Sequence, residues 1–256
     1  VLYTYCMSEN EEKIIEAKEI IESCASLTVL TGAGISAESG VPTFRGKDGL
    51  WRNFRSEQLA TPDAFWDNPK LVWEWYDWRR AAIKEAKPNP GHFALAELES
   101  QKKSMTLITQ NIDGLHQMAG SKNILEIHGN IWQVRCTKCG DIKQNHRVPL
   151  EEMPPRCELC GEIGRPNVVW FGEIIPMEVI DSSLKAIEEC DVMLIVGTSG
   201  VVEPAASLGL VAKQTGKKVI EINLESTTNS PLFDLTLLGK SGEIVPLLYT
   251  SHKVYS

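Results

Sequence analysis

Apolar residues along the chain fall into two patterns, one with helical spacing and one of short unbroken runs. From Lys13 to Cys24, Ile14, Ala17, Ile21 and Cys24 share one face and predict an amphipathic helix. Leu27 to Thr31 is a short apolar strand running straight into Gly32, the strand-turn-helix opening of a βαβ unit. Asn89 and Pro90 supply an N-cap and a first-turn proline for a helix with apolar positions Phe93, Leu95, Ala96 and Leu98. Met105 to Thr109 and Ile124 to His128 read as strands. Val179 to Cys190 reads as a helix, Val192 to Val196 as a buried strand, Pro204 to Thr215 as a helix and Lys218 to Asn223 as a further strand. Strands apolar throughout and separated by helices predict an α/β fold with a Rossmann-like parallel sheet covered on both faces.

Two stretches interrupt the alternation. Gly46 to Pro88 is rich in Trp, Arg and Asp and reads as helices with loops; Ile131 to Pro166 carries four cysteines with Pro149, Pro154 and Pro155 between them. The expected organisation is a discontinuous larger domain from segments 7–45, 89–130 and 167–250. A helical insertion, 46–88, and a zinc-ribbon insertion, 131–166, form the smaller one. At 256 residues the chain is long enough for that pair. Its net charge of -8, with no run of Lys or Arg, argues against binding nucleic acid or an anionic membrane surface. No apolar stretch approaches the roughly 20 residues of a membrane span. The opening residues lack the order of a signal peptide, and Met7 before an acidic run reads as an initiator. A cytoplasmic location is expected.

The seven cysteines separate into Cys6, Cys24 and Cys190, expected as buried free thiols, and two C-x-x-C pairs, Cys136/Cys139 and Cys157/Cys160. The pairs stand 17 residues apart, a spacing that matches a zinc ribbon. Four thiolates would close a tetrahedral shell with no open position, so one structural Zn2+ per chain is expected. Gly140 and Gly161 follow the second cysteine of each pair, where a tight turn brings amides toward sulfur. Acidic side chains interspersed with the basic ones between the pairs speak against a nucleic-acid role for the ribbon.

Gly32-Ala33-Gly34-Ile35-Ser36-Ala37 fits G-x-G-x-x-G/A after a strand, a pattern that lets a pyrophosphate approach the backbone. The usual acidic residue about 20 positions on is missing. Asn223 and Glu225, at the end of a later strand, are the better ribose candidates. Further motifs follow in order: Gly40 to Arg45, Gln110-Asn111-Ile112-Asp113, Ile127-His128-Gly129 and Gly197-Thr198-Ser199. Together with the cysteine quartet they resemble the sirtuins, the family of NAD-dependent protein deacylases, over essentially Ile14 to Leu248.

The resemblance implies that NAD is a co-substrate, consumed in the reaction. It implies that Ala33, Phe44 and Arg45 contact it, and that Gln110, Asn111, Ile112 and Asp113 form the ribose and nicotinamide strip. Gly197, Thr198 and Ser199 would lie on the adenosine side, with Asn223 and Glu225 on the adenine ribose. His128 is the expected general base, since an imidazole titrates near neutrality. Asn111 would order the ribose, and His116 reads as structural or as support for the ribose pocket. In the implied mechanism the acyl-lysine carbonyl oxygen attacks C1′ of the nicotinamide ribose. His128 then activates the ribose for transfer of the acyl group, giving free lysine and O-acyl-ADP-ribose.

Val169-Trp170-Phe171-Gly172-Glu173 resembles the segment on which an acyl-lysine peptide lies as an added strand, with Val169, Phe171, Gly172 and Glu173 as the expected contacts. Tyr76 and Arg79, three apart on one helix face, resemble the pair found in sirtuins that remove succinyl, malonyl or glutaryl groups, and Ala60 matches the small residue that widens that acyl pocket. An ordinary exposed helix in which Trp73, Tyr76 and Arg80 merely pack or pair is the alternative. For the whole chain, protein ADP-ribosyl transfer, a primary deacetylase and a noncatalytic NAD or peptide sensor stay open beside deacylation of acidic acyl groups. The expected partners are acyl-lysine proteins or peptides; nothing fixes an oligomeric state, and a monomer is compatible.

Overall fold

The computed structural model describes residues 8–42 and 59–250. Phe44, Arg45 and Cys6 lie outside the described residues, as does the expected boundary at 45/46. Six parallel strands form the main sheet in the order β3-β2-β1-β7-β8-β9. They are β1 (Ser26–Thr31), β2 (Ser104–Thr109), β3 (Ile124–Glu126), β7 (Val192–Val196), β8 (Lys218–Asn223) and β9 (Leu235–Leu238). The central strands β1 and β7 are buried on both faces, which is why their sequences show no alternation. On one face Val29, Leu107, Leu194 and Ile220 meet α1 (Glu9–Ser23) and α5 (Pro90–Gln101); on the other Leu30, Ile108, Met193 and Ile195 meet α7 (Met177–Glu189) and α8 (Ala205–Gln214). Each such side chain, fully withdrawn from water, contributes roughly 1.5–3 kcal/mol.

Local signals explain where the helices differ from expectation. Helix α1 starts at Glu9, ahead of its apolar stripe, because Ser8 and Glu11 form a reciprocal capping box. Its carboxyl end is held by Lys102, whose Nζ donates to the carbonyls of Ile21, Glu22 and Cys24. Cys190 is buried as expected, whereas Cys24 is only half-buried at that end. In α5 the buried stripe is Ala94, Leu95 and Leu98, and Phe93, expected inside, is 52% exposed. Strand β3 ends at Glu126, so His128 lies beyond it in the following turn.

The second assembly is a three-stranded antiparallel sheet, β5-β4-β6, with β4 (Gly129–Cys136), β5 (Ile142–Gln144) and β6 (Gly164–Val168). Gly129 pairs with Val168, so the boundaries expected at 130/131 and 166/167 fall inside this sheet. Two helices pack on it, α3 (Pro62–Asp67) and α4 (Pro69–Lys84), through Phe65, Val72, Trp73, Ile131 and Trp132. Asn68 caps α4 through its side-chain oxygen and Pro69 opens it. Trp73 donates Nε1–H to the Gly164 carbonyl at 2.8 Å, and Arg80 donates Nε–H to Ile131 at 2.8 Å. Helix α4 is amphipathic: Trp73, Tyr76 and Arg80 are enclosed, while Leu71 and Trp78 are exposed on its other face.

Candidate active site

A cleft of about 1070 Å³ lies along the carboxyl ends of β1, β2, β7 and β8 and runs toward α4. Its floor is two interlocked turns. Gly34 N–H donates to the Gly197 carbonyl at 2.9 Å, and Gly32 N–H to the Val196 carbonyl at 3.0 Å. A Cβ on Gly34 would stand 2.7 Å from Gly197 Cα, and one on Gly197, which has φ +64, only 2.5 Å from the Ile35 amide nitrogen. These glycines are required by the contact between turns as well as by any ligand. On the β8 side, Asn223 donates Nδ2–H to the Thr198 carbonyl at 2.6 Å, fixing the loop that carries Ser199.

Behind the cleft wall is a buried polar network. Ser36 donates its hydroxyl to Asp113 at 2.8 Å, while Asn111 Nδ2 donates to the Gly32 carbonyl at 3.0 Å and to Ser36 Oγ at 3.2 Å. His92 Nδ1 accepts the Asn89 amide at 3.3 Å, so its proton sits on Nε2, 3.4 Å from Ser36 Oγ. Thr31 donates to Thr109, so its oxygen accepts from His116 Nε2 at 3.0 Å. Burial holds both imidazoles neutral, His116 well below the usual histidine range and His92 down to about 4. Burial alone raises Asp113, and the amide of Leu115 and the Ser36 hydroxyl pull it back.

His128 stands at the edge of the cleft. Its Nδ1 lies 3.1 Å from the Gln110 carbonyl, an acceptor only, which places the Nδ1 proton there and leaves Nε2 as the basic atom. Burial lowers its pKa below the ordinary value, opposed by that hydrogen bond. The His128 carbonyl accepts from Val169 N–H at 2.9 Å, and Phe171 N–H donates to Ala60 at 2.9 Å. One loop is thus stitched both to the histidine and to the small residue of the α4 side.

The four cysteine sulfurs Cys136, Cys139, Cys157 and Cys160 lie within 4.8 Å of one another. Sulfur separations of 3.4 Å for Cys136–Cys160 and 3.7 Å for Cys139–Cys157 are close to the roughly 3.8 Å edge of a zinc tetrathiolate with 2.3 Å bonds. Gly140 and Gly161 turn the knuckles at φ +75 and +74, and the amides of Lys138 and Cys139 point at Cys136 Sγ, both at 3.4 Å. These residues fit a structural zinc ion, and none of the four lines the cleft.

Residues 32–204 match the Sir2 family. The chain belongs to the Sir2 family. It is 53% identical over 224 residues to an NAD-dependent protein deacylase of Aquifex aeolicus, covering 88% of this chain and 94% of the relative. It is 50% identical over 238 residues to one of Pyrococcus abyssi, covering 91% and 95%. Among solved structures, a Sir2 homolog–NAD complex superposes with a TM-score of 0.86 at 47% identity, covering 91% of each chain. A Sir2–p53 peptide–NAD+ complex gives 0.81 at 32% identity, covering 90% of this chain and 94% of that one.

Within this Sir2 fold most of the sequence-predicted site residues face one space. Gly32, Ala33, Gly34, Gln110, Asn111, Ile112, His128, Gly197, Thr198, Ser199, Asn223 and Glu225 line the cleft together with Ala60, Tyr76, Arg79, Val169, Phe171, Gly172 and Glu173. Ser36 and Asp113 do not line it and lie in the network behind Asn111. Glu173 reaches the lining, but its carboxylate is engaged by Arg165 at 2.5 and 2.8 Å and by Trp170 N–H at 2.8 Å. These bonds tie Glu173 to the backbone of its own loop and to β6. Residues that sequence reasoning missed are His92, whose only signal was its place in the capping turn at Asn89, and Arg165, which meets Glu173 and Trp170.

Proposed function

We propose that this Sir2-family protein is an NAD-dependent protein-lysine deacylase that prefers acidic acyl groups, succinyl or malonyl, and deacetylates more slowly. One observation carries the acyl preference: Ala60, Tyr76 and Arg79 line the same cleft as His128. The Arg79 guanidinium stacks 4.9 Å from the Trp75 ring and 5.6 Å from that of Tyr76, so a planar cation is presented from an aromatic wall. Burial lowers the Arg79 pKa, and an arginine so placed remains charged at neutral pH. A carboxylate at the end of an acyl chain would meet a guanidinium and a phenol there, whereas an acetyl group carries no charge to match them.

NAD supplies an activated ribose; this chain's residues bind, orient and move a proton. The backbone turns at Gly32 and Gly197 support the dinucleotide reading, with Asn223 and Glu225 toward the adenosine end. Asn111, pinned by Gly32 and Ser36, is rigid enough to order a ribose and its water. Neutral His128, with Nε2 unprotonated, is able to take a ribose hydroxyl proton. Acyl-lysine, NAD and water would give lysine, nicotinamide and O-acyl-ADP-ribose. The zinc module stands apart from these steps.

Mass spectrometry of acetyl-, succinyl- and malonyl-lysine peptides incubated with NAD tests this directly. Loss of acyl mass with appearance of O-acyl-ADP-ribose is expected, fastest for the acidic acyl groups. Gain of ADP-ribose on protein would indicate transferase activity instead, and no turnover a sensor. Arg79→Met should lower kcat/KM for the succinyl peptide by roughly ten-fold or more, the cost of a lost charged hydrogen bond, and change deacetylation little. Equal losses would remove the acidic pocket from the reading.

A further inference from the structure

A hydrogen bond between side chains 94 residues apart links the acyl pocket to the peptide loop. Trp170, 3% exposed, donates its indole Nε1–H to Tyr76 Oη at 2.9 Å. An indole N–H is a donor and never an acceptor. The Tyr76 oxygen is therefore an acceptor toward Trp170, and its own proton must point elsewhere. The ring of Tyr76 is enclosed between Trp75, edge-on at 4.8 Å, and Arg79, so the phenol has little freedom to turn. Trp170 is itself held from three sides. The Arg165 guanidinium lies 3.5 Å from its ring centroid, Phe65 packs at 5.2 Å, and its backbone N–H is bound by Glu173. Flanking it, Val169 is tied to His128 and Phe171 to Ala60.

We infer that Trp170 is the residue that sets the polarity of the acyl pocket: by occupying the acceptor side of Tyr76 it makes that phenol an obligatory donor, suited to a carboxylate oxygen. This rests on the acidic-acyl reading and adds to it a positioning residue in the peptide loop. It also links two selections. A peptide strand that orders the 168–173 loop sharpens the orientation of Trp170, and so that of the hydroxyl meeting the acyl group. With phenylalanine at 170 the ring and its stack on Arg165 are kept, but the Tyr76 hydroxyl becomes free to accept as well as donate.

The test is steady-state kinetics on matched succinyl- and acetyl-lysine peptides with wild type, Trp170→Phe, Tyr76→Phe and the double variant. For Trp170→Phe, KM for the succinyl peptide should rise roughly five- to ten-fold with kcat nearly unchanged, less than the loss of a whole charged hydrogen bond because the Tyr76 hydroxyl remains, while the acetyl peptide shifts less than about two-fold. The double variant should be no worse on succinyl than Tyr76→Phe alone, because both act through one hydroxyl. A benzothienyl analogue at position 170, which deletes only the N–H, should reproduce the Phe result and serves if Trp170→Phe melts early. A wild type indifferent to succinyl over acetyl would overturn the acidic-acyl reading and this inference with it. A succinyl-preferring wild type whose preference survives Trp170→Phe and the analogue, or whose two single losses multiply in the double variant, would overturn the inference alone.

Discussion

Acid should destabilise this protein through a side chain that takes no part in the chemistry. His92 is enclosed beneath Ser36, accepts the Asn89 amide on Nδ1, and has its pKa lowered from 6.5 to about 4 by burial. Protonating Nδ1 in the fold would both charge a dry site and break the capping bond at Asn89. The unfolded chain, by contrast, takes up that proton near pH 6.5. Below pH 6.5 the unfolded state therefore binds more protons than the native one, and stability falls with pH until the folded group titrates near 4. At 1.36 kcal/mol per pKa unit the whole effect is about 3 kcal/mol, of which about 2 kcal/mol is lost by pH 5. Against a total stability of about 5–15 kcal/mol this is substantial. His116, 4.8 Å away ring to ring and shifted in the same direction, adds to it.

Equilibrium urea denaturation between pH 7.5 and 5, in buffers with excess zinc, measures this loss. His92→Gln, which cannot titrate, is the comparison. The variant starts less stable at pH 7.5 because it gives up the buried contacts, but its stability should decline about 2 kcal/mol less than wild type by pH 5. Acid effects on the cysteine thiolates are common to both proteins and cancel in the difference. Parallel declines would show that His92 carries no linkage.

Three further outcomes are expected. His128→Ala should lower kcat by at least about 100-fold with the melting temperature within a few degrees of wild type, and the acid limb of the wild-type kcat/KM profile should lie below pH 6.5, because the base is active when neutral and burial lowers its pKa; a limb above 6.5 would count against it. Gly197→Ala forces a Cβ to within 2.5 Å of the Ile35 amide at φ +64, so a melt should show at least about 1–3 kcal/mol of destabilisation, and an NAD titration a raised KM. Metal analysis should find one zinc ion per chain, and Cys157→Ser or a strong chelator should abolish hydrogen-exchange protection in β4–β6 while β1 and β7 stay protected.

The residues that were legible in the sequence share a physical property: their partners are near in the chain or imposed by spacing. Strand β7 appears with its observed ends because an unbroken apolar run is what a doubly covered parallel strand requires. The zinc knuckles are two local turns, and the glycine turn is one. The start of α1 escaped because a cap, rather than an apolar stripe, begins it. What stayed hidden is the set of bonds that decide which polar group is free to meet a ligand. Ser36 to Asp113 spans 77 residues and Trp170 to Tyr76 spans 94.

That division explains why the acyl group was the least secure part of the sequence reading. Tyr76 and Arg79 at a separation of three announce a shared helix face, yet the same spacing occurs wherever a helix packs. Their chemistry depends on Trp75 beneath the guanidinium and Trp170 against the phenol, one a near neighbour and the other delivered by a loop from the second half of the chain. The dinucleotide turns are specified by steric exclusion, which a glycine declares in the sequence itself. The proposed acyl selectivity would turn on the direction of one hydroxyl proton, and such a direction exists only once the fold has brought Trp170 to Tyr76. Variants of the wall that leave Ala60, Tyr76 and Arg79 untouched are therefore the ones that should separate acyl preference from deacylation itself.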